Sequence, residues 1–424
     1  MEKTNILVVD MAFKYLEDVV NGKEVVNHDV LLLCNNFLKD FTTNQQKEDF
    51  EFYFDFEKLK VINNLLALFY FAKGLLQGMP VLPYLSGYQA LLIVAIFGWR
   101  YKDNPKKFRY RDVILYIARK NSKTYTVAYI FLLLLLTEDD YSEFYSICVN
   151  KDLAAEVKKA MQQTIECSPA IRKHFVVSKS KLGRITCKLT KSFYEPRASE
   201  AFGNNAINPS AFVSDEHAGF TEKSNYNAMR SGQKSVRNPI TFITTTGYPE
   251  SNSIMNEEIE YAEAVLNGVI KNQRYFALLY FAEEKHLWDD IGLMQANPLR
   301  IEENYQEIRD HRVTCKFKQS EETEYLTKEM NVLIDTVNED ENYLDMKSFR
   351  KCKVDKIDFS GKEIVVSVDL SKSIDLTAVG MMYRDINYYY YKVHGFLPRI
   401  GIERRKEKID YYYMERKGYC TIQE

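Results

Sequence analysis

The sequence lacks the cysteine spacing of a disulfide-stabilised or zinc-binding protein. Its 7 cysteines are scattered, they are odd in number, and no C-x-x-C pair occurs. Scattered thiols are typical of the reducing cytosol, whereas secreted scaffolds and structural zinc sites use regularly spaced cysteines. We therefore expect free thiols and neither a disulfide framework nor a zinc site.

The sequence also has no long apolar run, no secretory leader and no dominant charge. The longest apolar run, Val127 to Leu136, falls well short of the roughly 20 residues that cross a bilayer, so we expect no membrane partner. The opening residues, MEKTNILVVD, lack the layout of a signal peptide. Because the formal net charge is −2, any nucleic acid must bind to local basic patches. At 424 residues, two or three domains are expected.

The stretch VILYIARKNSKT, residues 113–124, predicts a strand, a polar turn and the start of a helix. A helix N-terminus presents unpaired N–H groups and a positive dipole end to phosphate. Lys123 would add a charge at the β- and γ-phosphates, and Thr124 a hydroxyl for Mg²⁺. Ile117 and Ser122 stand where the pattern G-x-x-x-x-G-K-[ST] has glycines. The pattern alone is therefore weak, and an ordinary strand–turn–helix is the alternative.

Three further segments are candidates for the rest of a nucleotide hydrolase site. The amide of Gln89 offers a donor and an acceptor for adenine, although a surface glutamine at a helix start is the alternative. Asp215 and Glu216 end an apolar strand, where an aspartate can hold Mg²⁺ and a glutamate can deprotonate water. Thr245 and Thr246 end the stretch TFITTTG and can contact the γ-phosphate; a core strand is the alternative.

Residues 167–194 contain seven basic side chains and no acidic one. The apolar pieces 176–177 and 185–189 predict the strands of a hairpin. Such a hairpin can follow the phosphates of DNA through Lys179, Lys181 and Arg184. A solvated polar face is the equally weighted alternative.

Charged, irregular residues at 313–355 favour a connection between domains. The segment EIVVSVDLS that follows predicts a strand that ends in Asp369, and two further strands are expected at 375–380 and 388–395. An aspartate on the first strand of an antiparallel meander is how ribonuclease-H-like nucleases begin, and these use clustered carboxylates to hold two metal ions. Asp375 is expected to start a strand rather than to bind metal, and 403–410 to form an exposed charged helix.

The order of these pieces resembles the large subunit of tailed-bacteriophage terminases along essentially the whole chain. The similar motifs are YQ (88–89), FGW (97–99), ARKNSKT (118–124), SDEH (214–217), TTTG (244–247), WDD (288–290), ANP (296–298) and VSVDLSKSIDLTAVG (366–380). YLEDVVNGKEVV (15–26) is also similar to the family's opening.

The resemblance implies an α/β fold: a P-loop NTPase core of additional-strand type, with a parallel central sheet, flanking helices and an N-terminal helical segment, followed by a partial ribonuclease-H-like nuclease domain. Expected boundaries are 1–80 for the helical subdomain, 81–312 for the ATPase, 313–355 for the connection and 356–424 for the nuclease. Few residues follow Asp369, so we expect the nuclease to lack its later strands and acids. Little DNA cutting and poorly covered apolar strand faces would follow.

The implied function is hydrolysis of ATP that moves viral double-stranded DNA into a procapsid, with cutting of concatemers by a nuclease that needs Mg²⁺ or Mn²⁺. The implied partners are DNA, the portal protein, the small terminase subunit and further copies in a ring. The implied location is the cytoplasm of an infected or lysogenic bacterium, and not the mature virion.

Roles follow from position in the family's motifs. They are adenine contact for Gln89; phosphate binding for Arg119, Ser122, Lys123 and Thr124; Mg²⁺ binding for Thr124 and Asp215; catalytic base for Glu216; stabilisation of the transferring phosphate for Arg119; coupling for Thr245 and Thr246; and the first nuclease carboxylate for Asp369.

Two alternatives stay open: a non-catalytic prophage remnant that acts as a binding module, and a different DNA translocase or helicase. ATP turnover separates the first alternative from a motor, and the lack of a second helicase-type core disfavours the other.

Overall fold

The computed structural model describes residues 3–197, 207–248, 253–333, 349, 351–354, 356–370, 376–402 and 411–423. They belong to two compact units, Met1–Val337 and Asn338–Glu424. Within the described residues, no helix combines the length and the apolar content that crossing a membrane requires. All seven cysteines carry free thiols, as expected.

The first unit opens with helices and one small antiparallel strand pair. In order these are α1 (Leu7–Val20), α2 (His28–Thr42), β1 (Phe52–Phe54), α3 (Phe56–Leu66), α4 (Gly87–Gly98) and β2 (Trp99–Tyr101). Helix α1 buries residues three and four apart, including Val8, Ala12 and Leu16, as an amphipathic helix must. These helices share one continuous hydrophobic core with the sheet that follows, so they do not form a separate globule.

An eight-stranded sheet forms the centre of the first unit. Its elements are β3 (Asp112–Tyr116), α5 (Lys123–Thr137), β4 (Glu143–Ile147), α6 (Lys151–Cys167), α7 (Pro169–Arg172), β5 (Phe175–Val177), β6 (Ile185–Cys187), β7 (Phe193–Arg197), β8 (Ala211–Asp215), α8 (Ser224–Gly232), β9 (Ile240–Thr245), α9 (Met255–Leu266) and β10 (Tyr275–Leu279). The strand order is β10-β3-β9-β8-β4-β7-β6-β5, parallel from β10 to β7 and antiparallel at β6 and β5.

The predicted parallel sheet and the predicted hairpin are both confirmed. Strands β8 and β9 are buried along their whole length, as expected when helices cover both faces of a parallel sheet. Strand β9 lies between β3 and β8, which is the inserted strand that the additional-strand type implies. The carboxyl ends of β3, β9 and β8 therefore lie side by side at one edge.

Residues 290–333 pack onto this unit through a second, smaller core. They form α10 (Asp290–Ala296), α11 (Glu302–Cys315), short turns at Gln319–Glu321 and Glu322–Glu324, and a π-helical turn, Tyr325–Glu329. The buried Tyr325 stacks on Trp288, with ring centroids 5.0 Å apart, and donates to the Leu287 carbonyl at 3.0 Å. The expected irregular connection from 313 onward is therefore wrong up to 333, because this segment forms helical turns whose buried side chains, Cys315, Tyr325 and Met330, pack into the smaller core. Residues 334–348, 350 and 355 lie outside the described residues.

The second unit contains a four-stranded mixed sheet. It is built from β11 (Val365–Asp369), β12 (Thr377–Arg384), β13 (Tyr389–Pro398), α12 (Arg399–Ile402), α13 (Tyr411–Arg416) and β14 (Cys420–Gln423). The first three strands form the predicted antiparallel meander, and β14 pairs parallel to β13. Val365 and Val368 are 63% and 58% exposed, so the expectation of poorly covered apolar strand faces is confirmed. Asp375 and residues 403–410 lie outside the described residues.

Candidate active site

The loop between β3 and α5 is held in a conformation that side chains rarely adopt. Lys120 and Ser122 have φ angles of 64° and 58°, in the left-handed region. Between them, the side-chain amide of Asn121 donates to the backbone carbonyls of Ala118 and Arg119 at 3.2 and 3.0 Å. Backbone strain of this kind is concentrated at functional sites and persists only where surrounding contacts enforce it.

Those contacts come from the ANP motif, whose place in the site the sequence did not reveal. The side chain of Asn121 donates to Oδ1 of Asn297 at 2.7 Å, and both residues are buried. Asn297 in turn donates to the carbonyls of Leu293 and Glu329 at 3.0 and 2.9 Å. Tyr88, from the YQ motif, donates to the Asn121 carbonyl. Motifs distant in sequence thus fix the shape of one loop.

Lys123 lies against two carboxylates at the end of β8, that of Asp215, its last residue, and that of Glu216, which follows it. Its Nζ donates to Oε1 of Glu216 at 2.7 Å and lies 3.5 Å from Oδ1 of Asp215. Burial would lower the pKa of Lys123, but the two carboxylates outweigh it and raise that pKa. The structure therefore brings together the predicted phosphate-binding lysine, metal-binding aspartate and catalytic base.

Glu216 is unusual both in its backbone conformation and in the hydrogen bonding of its carboxylate. Its φ is 50°, and its Oε2 atom is buried without a hydrogen-bond partner among the residues that the structure describes. Burial acts to raise the pKa of Glu216, but Lys123, Lys328 and Arg119 together lower it. The surrounding cations thus favour the ionised form of this carboxylate, which is the form that a general base requires.

Asp215 and Thr124 present oxygen atoms of the kind that Mg²⁺ prefers. Burial raises the pKa of Asp215, against the opposing charge of Lys123. Thr244 donates to Oδ1 of Asp215 at 2.8 Å, and Thr124 follows Lys123 in the first turn of α5. The hydroxyl of Thr124 is on the residue next to Lys123, and the carboxylate of Asp215 lies 3.5 Å from the Lys123 Nζ atom. These two oxygen donors fit Mg²⁺. The sequence pointed to Thr245 and Thr246 but not to Thr244.

The end of β9 is tied to the turn after β8. Thr245 accepts from the backbone N–H of Ala218 at 3.0 Å and donates to the Thr246 carbonyl at 3.0 Å. Both threonines are buried. Thr245 therefore contacts the turn that follows Glu216, and the role of Thr245 and Thr246 in coupling stays a prediction.

Gln89 is not a surface glutamine, because only 3% of it is exposed. Its Oε1 accepts from the backbone N–H of Ser86 at 3.0 Å, and its Nε2 donates to Thr126 at 2.7 Å. It therefore closes a capping box at α4 and joins α4 to α5. An adenine contact stays a prediction, and it would have to coexist with these bonds.

Arg119 lies at the rim of the site. Its side chain is 53% exposed and 3.5 Å from Glu324, while its backbone N–H donates to the Lys328 carbonyl at 3.0 Å. Its charge acts on Glu216, as the lowered pKa of that residue shows. A role at the transferring phosphate stays a prediction.

Two groups of predicted residues lie away from this edge. Lys181 and Arg184, on the confirmed hairpin at the sheet's far side, pair with Asp152 and Glu195, while Lys179 is exposed. Asp369 ends β11 in the second unit. Within the described residues, no three acidic, histidine or cysteine side chains gather to form a metal site.

Replacing Ser122 with glycine is expected to strengthen the loop. Glycine adopts positive φ without a steric penalty, so the free energy of unfolding should rise by about 1 kcal/mol. ATP should bind more tightly, because no Cβ remains beside the phosphates. Thermal unfolding and nucleotide titration measure the two effects.

Lys120→Gly is the matched control for Ser122→Gly, since it relieves a similar φ at an exposed position. We expect it to raise stability without tightening ATP binding. Weaker ATP binding by Ser122→Gly would show that the serine itself is adapted to its place.

Comparison with known proteins assigns the family. The sequence matches the terminase large subunit ATPase domain over residues 87–264 and the terminase large subunit endonuclease domain over residues 270–422. The fold is similar to that of the HK97 bacteriophage large terminase, with a TM-score of 0.55 and 18% identity over 88% of this chain and 74% of that one. The large terminase of a thermophilic bacteriophage gives a TM-score of 0.40, at 13% identity over 80% of this chain and 77% of that one.

Protein YmfN of Escherichia coli (strain K12) is 25% identical over 194 residues, which cover 44% of this chain and 42% of that protein. The aligned region thus spans less than half of that relative. The endonuclease match begins before β10, a strand that the structure places in the first unit's sheet. With both of its domain models matched and its fold shared with the HK97 protein, the chain belongs to the terminase large subunit family of tailed bacteriophages.

Proposed function

We propose that this chain hydrolyses ATP to drive double-stranded viral DNA into a procapsid, and that its second unit contributes Asp369 to a metal-dependent nuclease that cuts concatemeric DNA. One observation carries the ATPase half of the proposal. Lys123 is buried between Asp215 and Glu216 at the carboxyl edge of a sheet in which β9 separates β3 from β8. Ligands of open α/β sheets bind at that edge.

The chemistry follows from the ion pair between Lys123 and Glu216. Phosphate oxygens of ATP would compete for Lys123, which would free Glu216 from its cation and raise its basicity. Glu216 would then take a proton from water while the water oxygen bonds to the γ-phosphorus and the bond to the β-phosphate oxygen breaks, releasing ADP and phosphate. Arg119 would stabilise the charge on the transferring group.

The other site residues have supporting roles in this proposal. Thr124 and Asp215 would hold Mg²⁺, which neutralises charge on the phosphates when bound. The backbone around Ser122 would cradle the phosphates, and Gln89 would face the adenine. Thr245 and Thr246 would pass the change at the γ-phosphate to the rest of the unit.

The proposed partners are those of a packaging motor. They are double-stranded DNA, the portal protein, the small terminase subunit and further copies of this chain in a ring on the procapsid. The proposed location is the cytoplasm of the infected or lysogenic host.

The direct test is ATP hydrolysis by the purified chain with Mg²⁺, with and without double-stranded DNA. We expect slow hydrolysis that chelation of Mg²⁺ abolishes and that DNA or partner proteins stimulate. A chain that binds no nucleotide would support the alternative of a non-catalytic binding module. For the second unit we expect little or no cutting of plasmid DNA with Mg²⁺ or Mn²⁺, because no three potential metal ligands gather among the described residues. Robust cutting that disappears in Asp369→Ala would show that a working metal site exists.

The hairpin's role in DNA binding has its own test. Glutamine is the appropriate replacement at Lys179, Lys181 and Arg184, because a carboxylate would repel Asp152 and Glu195. The triple variant should bind DNA more weakly, and its salt dependence should flatten by about 0.9 in log–log slope for each phosphate that the variant no longer neutralises. DNA titration at several salt concentrations measures both quantities.

Lys285, Lys316 and Lys318 provide the control, since they are exposed lysines elsewhere on the same unit. Their triple replacement by glutamine changes the net charge equally. If both variants lose the same affinity and slope, the hairpin has no specific part in DNA binding and is only a solvated face.

A further inference from the structure

Lys328 is a second lysine buried beside the candidate nucleotide site, and no sequence motif pointed to it. It is 8% exposed and belongs to the π-helical turn Tyr325–Glu329. Its Nζ donates to the Gly247 carbonyl at 2.7 Å and lies 3.4 Å from the centre of the Tyr248 ring. Turns of this rare type are frequent at functional sites.

The partners of Lys328 are neutral, although it is charged and buried. In the part of the chain that the structure describes, no ion pair joins it to a carboxylate. Burial, followed by repulsion from Arg119, lowers the pKa of Lys328 to about 8. Its charge also reaches the catalytic base, since it contributes to the lowered pKa of Glu216. A buried cation is stabilised when an anion binds beside it, and a γ-phosphate is such an anion.

The segment that carries Lys328 is hydrogen-bonded both to the phosphate-binding loop and to the residues that follow β9 and β10. The backbone carbonyl of Lys328 accepts from the backbone N–H of Arg119, in the phosphate-binding loop, at 3.0 Å. On the other side, the N–H of Gly247, just after β9, donates to Asn331 at 2.7 Å. The amide of Asn331 donates in turn to the Tyr280 carbonyl, after β10, at 2.6 Å.

The contact at Gly247 leaves no space for adjustment. A Cβ placed there would lie 2.6 Å from the Thr327 carbonyl oxygen and 2.8 Å from that of Val332. Such distances are shorter than atomic contacts allow, so only glycine fits. The end of β9 is therefore closely packed against the segment 325–333, and a shift of one would press on the other.

We propose that Lys328 binds the γ-phosphate directly and passes its presence or loss to the segment 325–333, from which the chain continues into the second unit. This inference rests on the proposed ATPase function. With the γ-phosphate bound, the lysine would share its charge and its donors with that group. After hydrolysis and phosphate release it would return to the Gly247 carbonyl and the Tyr248 ring, altering the link between β9 and the turn.

The alternative is that Lys328 only fastens the turn to β9. If that is its role, replacing Lys328 should weaken the binding of all nucleotides equally and make the fold less stable. If Lys328 is a sensor, replacing it should weaken the binding of only those nucleotides that carry a γ-phosphate. The two are separated by comparing nucleotides that differ in that one group.

The experiment measures the binding of ADP and of ATPγS, each with Mg²⁺, to the full chain and to Lys328→Met, which keeps the length of the side chain. We expect ATPγS binding to weaken roughly 10- to 100-fold and ADP binding by less than about threefold, as loss of one hydrogen bond to a charged group implies. Hydrogen exchange of residues 325–333 should respond to ATPγS in the wild type but not in the variant. Lys328→Arg should restore part of the preference, and Lys318→Met, an exposed lysine nearby, should behave as wild type.

The outcomes distinguish this inference from the function on which it rests. An unchanged ratio of ATPγS to ADP affinity in Lys328→Met, with normal loss of binding in Lys123→Ala, would overturn the sensor and leave the ATPase standing. Equal weakening of both nucleotides with a lower unfolding temperature would show a structural role and also overturn it. A wild-type chain that binds neither nucleotide would overturn the proposed function and, with it, the sensor.

Discussion

Glu216→Gln is expected to bind ATP and to hydrolyse it roughly 100- to 10,000-fold more slowly than the wild type, the range that positioned proton transfer supplies. Glutamine keeps the shape of the side chain and can still accept a hydrogen bond from Lys123, so the phosphate-binding loop should stay in place. It cannot take the proton from the attacking water. Single-turnover hydrolysis and equilibrium binding of ATPγS measure turnover and affinity separately.

Glu143→Gln is the matched control, because Glu143 begins β4 at the opposite end of the strands and its carboxylate accepts from Tyr145. It should hydrolyse ATP at the wild-type rate. Hydrolysis by Glu216→Gln at the wild-type rate would show that another group is the base. A loss of ATP binding in Glu216→Gln would instead show that the ion pair with Lys123 shapes the loop.

Lys123→Ala is expected to lose ATP binding by more than about 100-fold and to unfold more easily. The lysine supplies the buried charge at the phosphates, and two desolvated carboxylates, Asp215 and Glu216, would be left without their cation. Removing one partner of a buried ion pair costs about 3 kcal/mol. Fluorescent-nucleotide titration and chemical denaturation measure the two losses.

Lys58→Ala separates the two effects, because Lys58 pairs with Glu138 at 3.8 Å in a partly buried place away from the loop. It should lower stability while leaving the affinity for ATP intact. Lys123→Arg keeps the charge and should preserve more of the stability than of the binding, since a planar guanidinium fits the cradle differently. Wild-type affinity in Lys123→Ala would exclude this loop as the phosphate-binding site.

Local patterns were sufficient for the elements that carry the proposed chemistry. Strands β8 and β9 are short apolar runs that end in polar residues, and the apolar run of β3 is followed by a polar turn. Helix α5 opens with the Lys–Thr pair and continues as an apolar run, so each element could be recognised within about ten residues. Because these strands are parallel, their polar ends had to meet at one edge. The cluster of Lys123, Asp215 and Glu216 was therefore predictable as a group.

The exposure of individual side chains and the backbone conformation of the loop were harder to predict from the sequence. Gln89 was weighed against a surface glutamine and is buried in a capping box, because its partner Thr126 lies on another helix. Ser122 was recognised as a departure from glycine, but its positive φ depends on how Asn121 and Asn297 hold the loop. The hairpin was predicted correctly. The ion pairs of Lys181 and Arg184 with Asp152 and Glu195 were not predicted, because these acids lie on other elements.

The sequence by itself determined the α/β class, the parallel strands, the loop lysine with its two carboxylates, and the meander that ends its first strand in Asp369. These follow from hydrophobic periodicity and from residues that are neighbours in the chain. Only the tertiary structure decided that Asn297 holds the phosphate-binding loop through Asn121, that residues 313–333 pack on the first unit, and that Lys328 lies beside the site. Each of these is a contact between segments far apart in sequence, set by the packing of buried side chains, and no local pattern records it.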